Sequence, residues 1–407
     1  MKRTSQILQT GTCIPEQSNY IPSTTSNVLW GRLPCRNDRM IGTVHSGNEI
    51  TIDTVSHEGL LEDQGSDPMA YFTTHGVAAN DVLNDGIAIA RECHRNPDTD
   101  GPHVVTGPIA VPEAHPGDLL AITPTMLAPR VPYGVISTRH ARGVLAGSED
   151  FDGNYGQFCR ADVETETAWF PVQAPYSANT SSEPASTVRF PMHPFLGIMG
   201  VTTASNQRPS SIPPADYGGN IDLRNLTVGS TLFLPVQIEG AGLYIGDPHF
   251  AQGNGEVSLT ALEASLRATL RVQVIPADEA KRLFGRTNLP FAISHGTLIP
   301  MGFGSTLDDA LSQSVEHAID MIATMFEMPR QQVYLLLSAA ADFDVTQAVD
   351  ITKGVHGLID LSMFQQLPDY ERTIRDIGNS RWTAMRRMPY WPSRLRQVTD
   401  WSSQRTL

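Results

Sequence analysis

From Val28 to about residue 275 the apolar runs are short and are separated by Gly, Pro and Asp. Runs punctuated in this way suit strands joined by tight turns rather than helices, which need an apolar stripe sustained over several turns. Ile41-Gly-Thr-Val44 and Glu49-Ile-Thr-Ile-Asp53 flank a Ser46-Gly47 turn. Val111 to Ile122 repeats the device: a strand end, a Pro-Gly-Asp turn, then an apolar strand. Asn225 to Pro235 does so again, with a Gly turn ahead of a continuous apolar run. These glycines and prolines read as turn chemistry, not as sites.

Helical periodicity arrives late. Leu307 to Phe326 places Leu311, Val315, Ala318, Ile319, Ile322 and Met325 on one face, with Ser305 or Thr306 as the cap. A second helix is expected from Gln331 to Ala341, after Pro329, and His317 on the first is expected to face solvent. Glu263 to Ala268 is read as a short helical turn before alternation returns at Thr269 to Ile275. The fold class is therefore mainly β (α+β overall), a sandwich-like or barrel-like multi-domain architecture with a late αα pair.

Five segments are expected: an extended or poorly ordered arm at 1–26, a β-rich domain at 27–185, a second at 186–300, the helical pair and a return segment at 301–365, and a tail at 366–407. Within the first domain, 148–185 reads as a long polar excursion carrying aromatics such as Phe170. Between Glu371 and Leu407 eight arginines and three tryptophans suggest docking rather than catalysis.

Composition narrows the function. With 407 residues, 40% of them hydrophobic, the chain can fill sizeable cores. Its 43 acidic against 29 basic side chains give a formal net charge of −14, which argues against nucleic acid and anionic membranes as partners. Cys13, Cys35, Cys93 and Cys159 form no Cys-x-x-Cys pair, so neither a zinc knuckle nor a disulfide scaffold is expected. No apolar leader follows Met1-Lys-Arg and no run is long enough to cross a membrane, which makes the cytoplasm the expected address.

The chemistry is concentrated in Tyr244-Ile-Gly-Asp-Pro-His-Phe-Ala-Gln-Gly-Asn-Gly-Glu256. Asp247, His249, Gln252 and Glu256 lie close together among glycines, and a second polar loop, Tyr217-Gly-Gly-Asn-Ile-Asp222, lies just upstream. Acid, imidazole and amide groups so placed can bind a divalent metal or move protons, and they can equally satisfy one another in a tight turn. An oxygen- and nitrogen-rich set such as Asp222, Asp247, His249 and Glu256 suits zinc or an ion of similar hardness. Strand alternation would also put Asp53 and His57 on one face, where both could meet the same ligand. Other templates fall away. There is no Gly-x-Ser-x-Gly elbow and no His-Glu-x-x-His, and the lysine-dependent amidase and nitrilase triads find only Lys2, Lys281 and Lys353 to draw on.

Thr106-Gly-Pro-Ile109, His193-Pro-Phe-Leu-Gly197, Gly218-Gly-Asn-Ile-Asp-Leu-Arg-Asn-Leu226, Gly246 to Glu256 and Thr352-Lys-Gly-Val-His356 resemble, in that order, the acetamidase/formamidase family. The resemblance runs from about Val28 to about Pro368. It implies a β-rich hydrolase that cleaves the C–N bond of small linear amides such as formamide or acetamide, releasing ammonia, and it implies a homo-oligomer. Asn254 departs from the family's usual aspartate in the Gly-Asp-Gly-Glu turn. On this reading Asp222, Asp247 and His249 bind a divalent metal, expected to be zinc, with Asp53 and His57 as further candidate ligands. Glu256 is the general base, and Asn220 and Gln252 hold the amide or the oxyanion. A larger or cyclic amide or a carbamate is the alternative substrate; a non-catalytic metal- or ligand-binding β protein is the alternative class.

Overall fold

The short apolar runs pair into two large sheets. The computed structural model describes residues 7–14, 19–139, 142–172, 186–286 and 288–379. One sheet has nine strands. From edge to edge these are Tyr20–Ile21, Glu49–Asp53, Leu266–Ile275, Leu119–Pro129, Thr231–Pro235, Phe291–Ser294, Thr297–Gly304, Lys353–Asp360 and Asp342–Gln347. Its longest ladder is antiparallel and joins Leu266–Ile275 to Leu119–Pro129. The other sheet has eleven strands and contains Leu243–Ala251 at its centre, flanked by Phe195–Val201, Leu262–Glu263 and Val104–Ala110. Both sheets draw strands from 27–185 and from 186–300, so the expected boundary near 185 separates neither sheet.

Apolar side chains of both sheets share one core. Ile50, Ile52, Leu120 and Ile122 of the first meet Leu196, Met199, Leu243 and Ile245 of the second. A second core lies under the helices, where Phe233, Phe284 and Phe291 pack with Ile319, Ile322 and Met325. Six α-helices lie within the described residues: α1 Pro68–Thr74, α2 Asn84–Glu92, α3 Ala277–Phe284, α4 Leu307–Met325, α5 Arg330–Ala340 and α6 Tyr370–Asn379.

The late αα pair is α4 and α5, and Thr306 caps α4 by accepting the Asp309 amide at 3.1 Å. His317 does not face solvent. It is 5% exposed, with Nδ1 3.1 Å from the Met301 carbonyl oxygen, because α4 lays this face on the strand Thr297–Gly304. Helices α1, α2 and α3 are absent from the sequence reading. Each is only two or three turns long, and such segments are stabilised by the surface they cover rather than by an extended stripe. Residues 263–268 form no helical turn: Glu263 ends the strand Leu262–Glu263, 266–268 open the strand Leu266–Ile275, and 264–265 link the two.

The excursion at 148–185 is also more regular than expected. Gly156–Asp162 and Thr167–Pro171 form a hairpin on the edge of the eleven-stranded sheet, and Thr187–Pro191 pairs next to it. Arg189 lies over the Trp169 ring at 4.9 Å. Residues 173–185, and the tail beyond Asn379, lie outside the described residues.

The described part of the N-terminal arm is tied down by two buried arginines. Arg130 donates to Asp85 in bidentate fashion, at 2.8 and 3.1 Å, and its Nε reaches the Leu8 carbonyl at 3.0 Å. Arg267 grips Asp53 at 2.6 and 3.0 Å and donates to the carbonyls of Gln9 and Thr12. Burial pushes the Asp85 carboxyl up, but the Arg130 guanidinium more than reverses this and holds it below the usual range. Asp85→Ala strands a buried guanidinium, so a loss of about 3–5 kcal/mol is expected in urea unfolding near neutral pH. The folded-state pKa of Asp85 is depressed. Its contribution is therefore present above the unfolded carboxylate pKa and is lost as pH falls through the folded value. An equal loss for the variant at pH 7 and below that range would reject this account.

Candidate metal centre and active site

Eight ionisable side chains converge where the two sheets meet. Asp247 and His249 come from the strand Leu243–Ala251, and Glu263 lies directly across from His249 in the antiparallel ladder. Asp222 follows the strand Gly218–Asn220, and Glu256 follows Leu243–Ala251 by a glycine turn. His57 leaves the end of Glu49–Asp53, His103 precedes Val104–Ala110, and Asp350 sits between the last two strands. All eight are buried.

The distances are those of a polar nest, not of a core. His249 Nε2 lies 3.0 Å from Asp247 Oδ2 and 3.1 Å from Glu263 Oε1. His57 Nδ1 is 3.4 Å from Asp247 Oδ1, and His103 Nε2 is 3.9 Å from Asp247 Oδ2. Four triads each bring their ligand atoms within 4.8 Å of one another: His57, His103 and Asp247; Asp222, Asp247 and His249; His249, Glu256 and Glu263; and Asp222, Glu256 and Asp350. Several of these atoms are buried without a hydrogen-bond partner, namely both ring nitrogens of His57, Asp222 Oδ1, Asp247 Oδ1, Glu256 Oε2 and Glu263 Oε2. Leaving so many polar atoms unsatisfied is costly, so the tight-turn reading of the Asp247–Glu256 loop does not account for them.

Backbone strain marks the same place. Asp222, Asp247 and Glu256 adopt positive φ values of 53°, 49° and 45°. Non-glycine residues take this conformation at a cost, and it gathers where side chains must be aimed. Gly197 leaves the space they use. A Cβ there would stand 2.5 Å from Asp222 Oδ1, 2.6 Å from Asp247 Oδ2 and 2.7 Å from His249 Cε1. Gly197→Ala is therefore expected to displace all three side chains, to cut metal content and turnover together, and to lower the urea midpoint about as much as chelation of the wild type does. Wild-type metal content in the folded variant would show that the cluster tolerates the methyl group.

The electrostatics suit a cation. Burial, then the nearby Glu256 and Asp350, raises Asp222 well above the usual carboxylate range. Burial, followed by Asp350, does the same to Glu256. Burial and Asp247 raise Glu263, and burial carries Asp350 up to about 7. Burial opposes ionisation of Asp247 too, but His249 and His103 outweigh it and hold that carboxyl well below its usual range. His249 is the mirror case: burial disfavours its charge, while Glu263 and Asp247 hold its pKa well up. His103 is dominated by burial and falls to about 4. Carboxylates that crowd one another and a neutral imidazole beside them form a donor set that a divalent ion satisfies.

Of the sequence candidates, the structure brings together Asp222, Asp247, His249, Glu256 and His57. Asp53 is not among them. Its carboxylate is taken by Arg267 and by the Tyr20 hydroxyl at 2.6 Å, because the strand that holds it turns its end towards the N-terminal arm. Asn220 and Gln252 both hydrogen-bond within the cluster. Asn220 Nδ2 donates to Asp350 Oδ2 at 2.9 Å and to the Ile212 carbonyl at 3.0 Å. Gln252 Oε1 lies 3.1 Å from His249 Nδ1, and its Nε2 donates to the Asp222 carbonyl at 2.7 Å.

Sequence reasoning passed over His103, Glu263 and Asp350 as site residues. The available signals were an acid inside the apolar Ala261-Leu-Glu-Ala264 run and an acid just ahead of Thr352-Lys-Gly. Outward from the nest, Gln252 and Glu256 form part of the wall of a cavity of about 490 Å³, together with Phe170, Phe190 and Arg224.

Two sheets and a buried acid–imidazole nest define a β-rich protein with a candidate metal centre. Residues 202–366 match the acetamidase/formamidase family, which bears out the likeness carried by the motifs in that stretch. The formamidase of Methylophilus methylotrophus is 42% identical over 66 residues, 16% of each chain. The acetamidase of Mycolicibacterium smegmatis is 26% identical over 234 residues, 46% of this chain and 55% of that one. The matches thus span at most about half the length of the curated relatives. Over the whole fold the chain is similar to an acetamidase structure from Bacillus halodurans. That structure has TM-score 0.64 and 22% identity, with 86% of this chain and 100% of the other covered. An acetamidase structure from Yersinia enterocolitica gives TM-score 0.65 at 20% identity, covering 88% and 97%. At these identities the structural likeness speaks for the fold.

Proposed function

We propose that this chain is a metal-dependent amidohydrolase that cleaves the C–N bond of small linear amides to a carboxylate and ammonia. The observation that carries the reading is the buried set of unpartnered ligand atoms that reaches a cavity through Glu256. The formamidase and acetamidase relatives support the reaction class. Asp222, Asp247 and His249 would hold a divalent ion, zinc by the chemistry of the donors, with His57 and His103 beyond Asp247. Such an ion, when bound, supplies Lewis acidity to a carbonyl and compensates the carboxylates' charge.

The chain's own residues divide the remaining work. Glu256, with Oε2 unpartnered and its pKa raised, takes a proton from water and returns one to the departing nitrogen. Gln252 holds the His249 ring and the Asp222 backbone in place, a positioning role rather than an oxyanion contact. Asn220 commits both of its N–H groups and leaves Oδ1 free, an acceptor suited to an amide N–H. Association into a homo-oligomer belongs to the same proposal; exposed Tyr334 and Leu335 on α5 offer an apolar face for it.

A larger amide substrate is the second reading, favoured by the cavity's volume. Metal analysis combined with ammonia release from formamide, acetamide and longer amides tests both. Metal-free protein with full activity, or metal-bound protein inactive on every amide, would reject the proposal.

A further inference from the structure

Formamide has three heavy atoms and fills on the order of 100 Å³ at about 30 Å³ per water-sized group. The cavity beside Glu256 holds about 490 Å³. Phe170 and Phe190 line it, their rings 6.3 Å apart and tilted on neighbouring strands. Among the described residues that line it, only Arg224 carries a permanent positive charge. Arg224 has no hydrogen-bond or ion-pair partner among the described residues, in contrast to Arg130, Arg139 and Arg267, each tied to a buried carboxylate. Half-buried on the wall of the same cavity as Phe170 and Phe190, this guanidinium is open to a ligand. Its planar fork matches a carboxylate.

We propose that the amides this site takes carry a carboxylate on an apolar acyl chain, and that Arg224 binds it. The inference rests on the amidohydrolase reading and names its substrate class. Phe170 and Phe190 pack against the acyl chain, and Gln252 and Glu256 mark the end where the amide lies. Hydrolysis breaks the C–N bond, the acyl carbon gains the water oxygen, and the nitrogen leaves as ammonia, so the product is a dicarboxylate.

The test compares kcat/KM for ammonia release by the metal-loaded full chain on succinamate, glutaramate and adipamate with that on butyramide, valeramide and hexanamide. A charge-assisted pair predicts a preference for the carboxylated member of about 10- to 100-fold, expressed mainly in KM. Arg224→Gln should collapse that ratio towards one, and Arg224→Lys should retain part of it. Equal or slower hydrolysis of the carboxylated amides by the wild type overturns the proposal while leaving the amidohydrolase reading intact. A folded Arg224→Gln protein with the full ratio removes Arg224 from the role. Ammonia from none of the six compounds, nor from formamide, sinks the amidohydrolase reading and this proposal with it. The wild-type ratio can overturn the idea by itself, so the outcome does not depend on whether the variants fold.

Discussion

Glu256→Gln is expected to lower kcat for amide hydrolysis by about 10²–10⁴ while leaving the fold intact. The substitution keeps the shape of the side chain and removes its basicity. Glu256 is only 6% exposed, sits in a left-handed backbone conformation at φ 45°, and leaves Oε2 without a partner. Those features describe a carboxylate aimed at something other than its own protein. Its raised pKa, caused by burial and then by Asp350, makes it a stronger base than a solvated glutamate. Steady-state ammonia release and metal content should be read on the same preparation, because Glu256 also belongs to two of the candidate ligand triads. Turnover lost with metal retained supports the base. Turnover and metal lost together makes Glu256 a ligand, and wild-type turnover leaves it only a structural role.

The second large effect is expected at Asp247. This carboxylate is shared by two triads and approaches three imidazoles, those of His57, His103 and His249. Asp247→Asn removes the negative charge around which the others are arranged, so bound metal should fall well below one per chain and activity by more than about 10³-fold. Chelation of the wild type should mimic the variant and lower the melting temperature as well. Loss of a ligand that binds only the folded chain removes RT ln(1 + [L]/Kd), about 4 kcal/mol at a thousandfold excess over Kd. Readdition of zinc should restore activity to the chelated wild type and not to the variant. A chelated protein with unchanged melting temperature and activity would leave the cluster without a metal.

The strand-rich character, the capped late helix and the loops with Asp222, Asp247, His249 and Glu256 were legible in the residues. All of these depend on neighbours in sequence: turn chemistry at Gly and Pro, a 3.6-residue stripe ending at a Thr306 cap, and ligand types crowded into one glycine-rich stretch. Local sequence carries such signals because short-range backbone preferences produce them.

Long-range pairing decided the rest. Asp53 and His57 share a strand face in the sequence reading, yet Arg267, more than two hundred residues away, captures Asp53 and leaves His57 alone at the cluster. Glu263 becomes a site residue only because the antiparallel register sets it opposite His249, and Asp350 only because the fold brings it to Asp222 and Glu256, distant in sequence. His317 looked exposed until α4 settled on the strand behind it. What this sequence determined by itself was which residue types are concentrated in which turns. Which charge each of them faces was set by sheet register and burial, where a cross-strand neighbour and the loss of water outweigh anything adjacent along the chain.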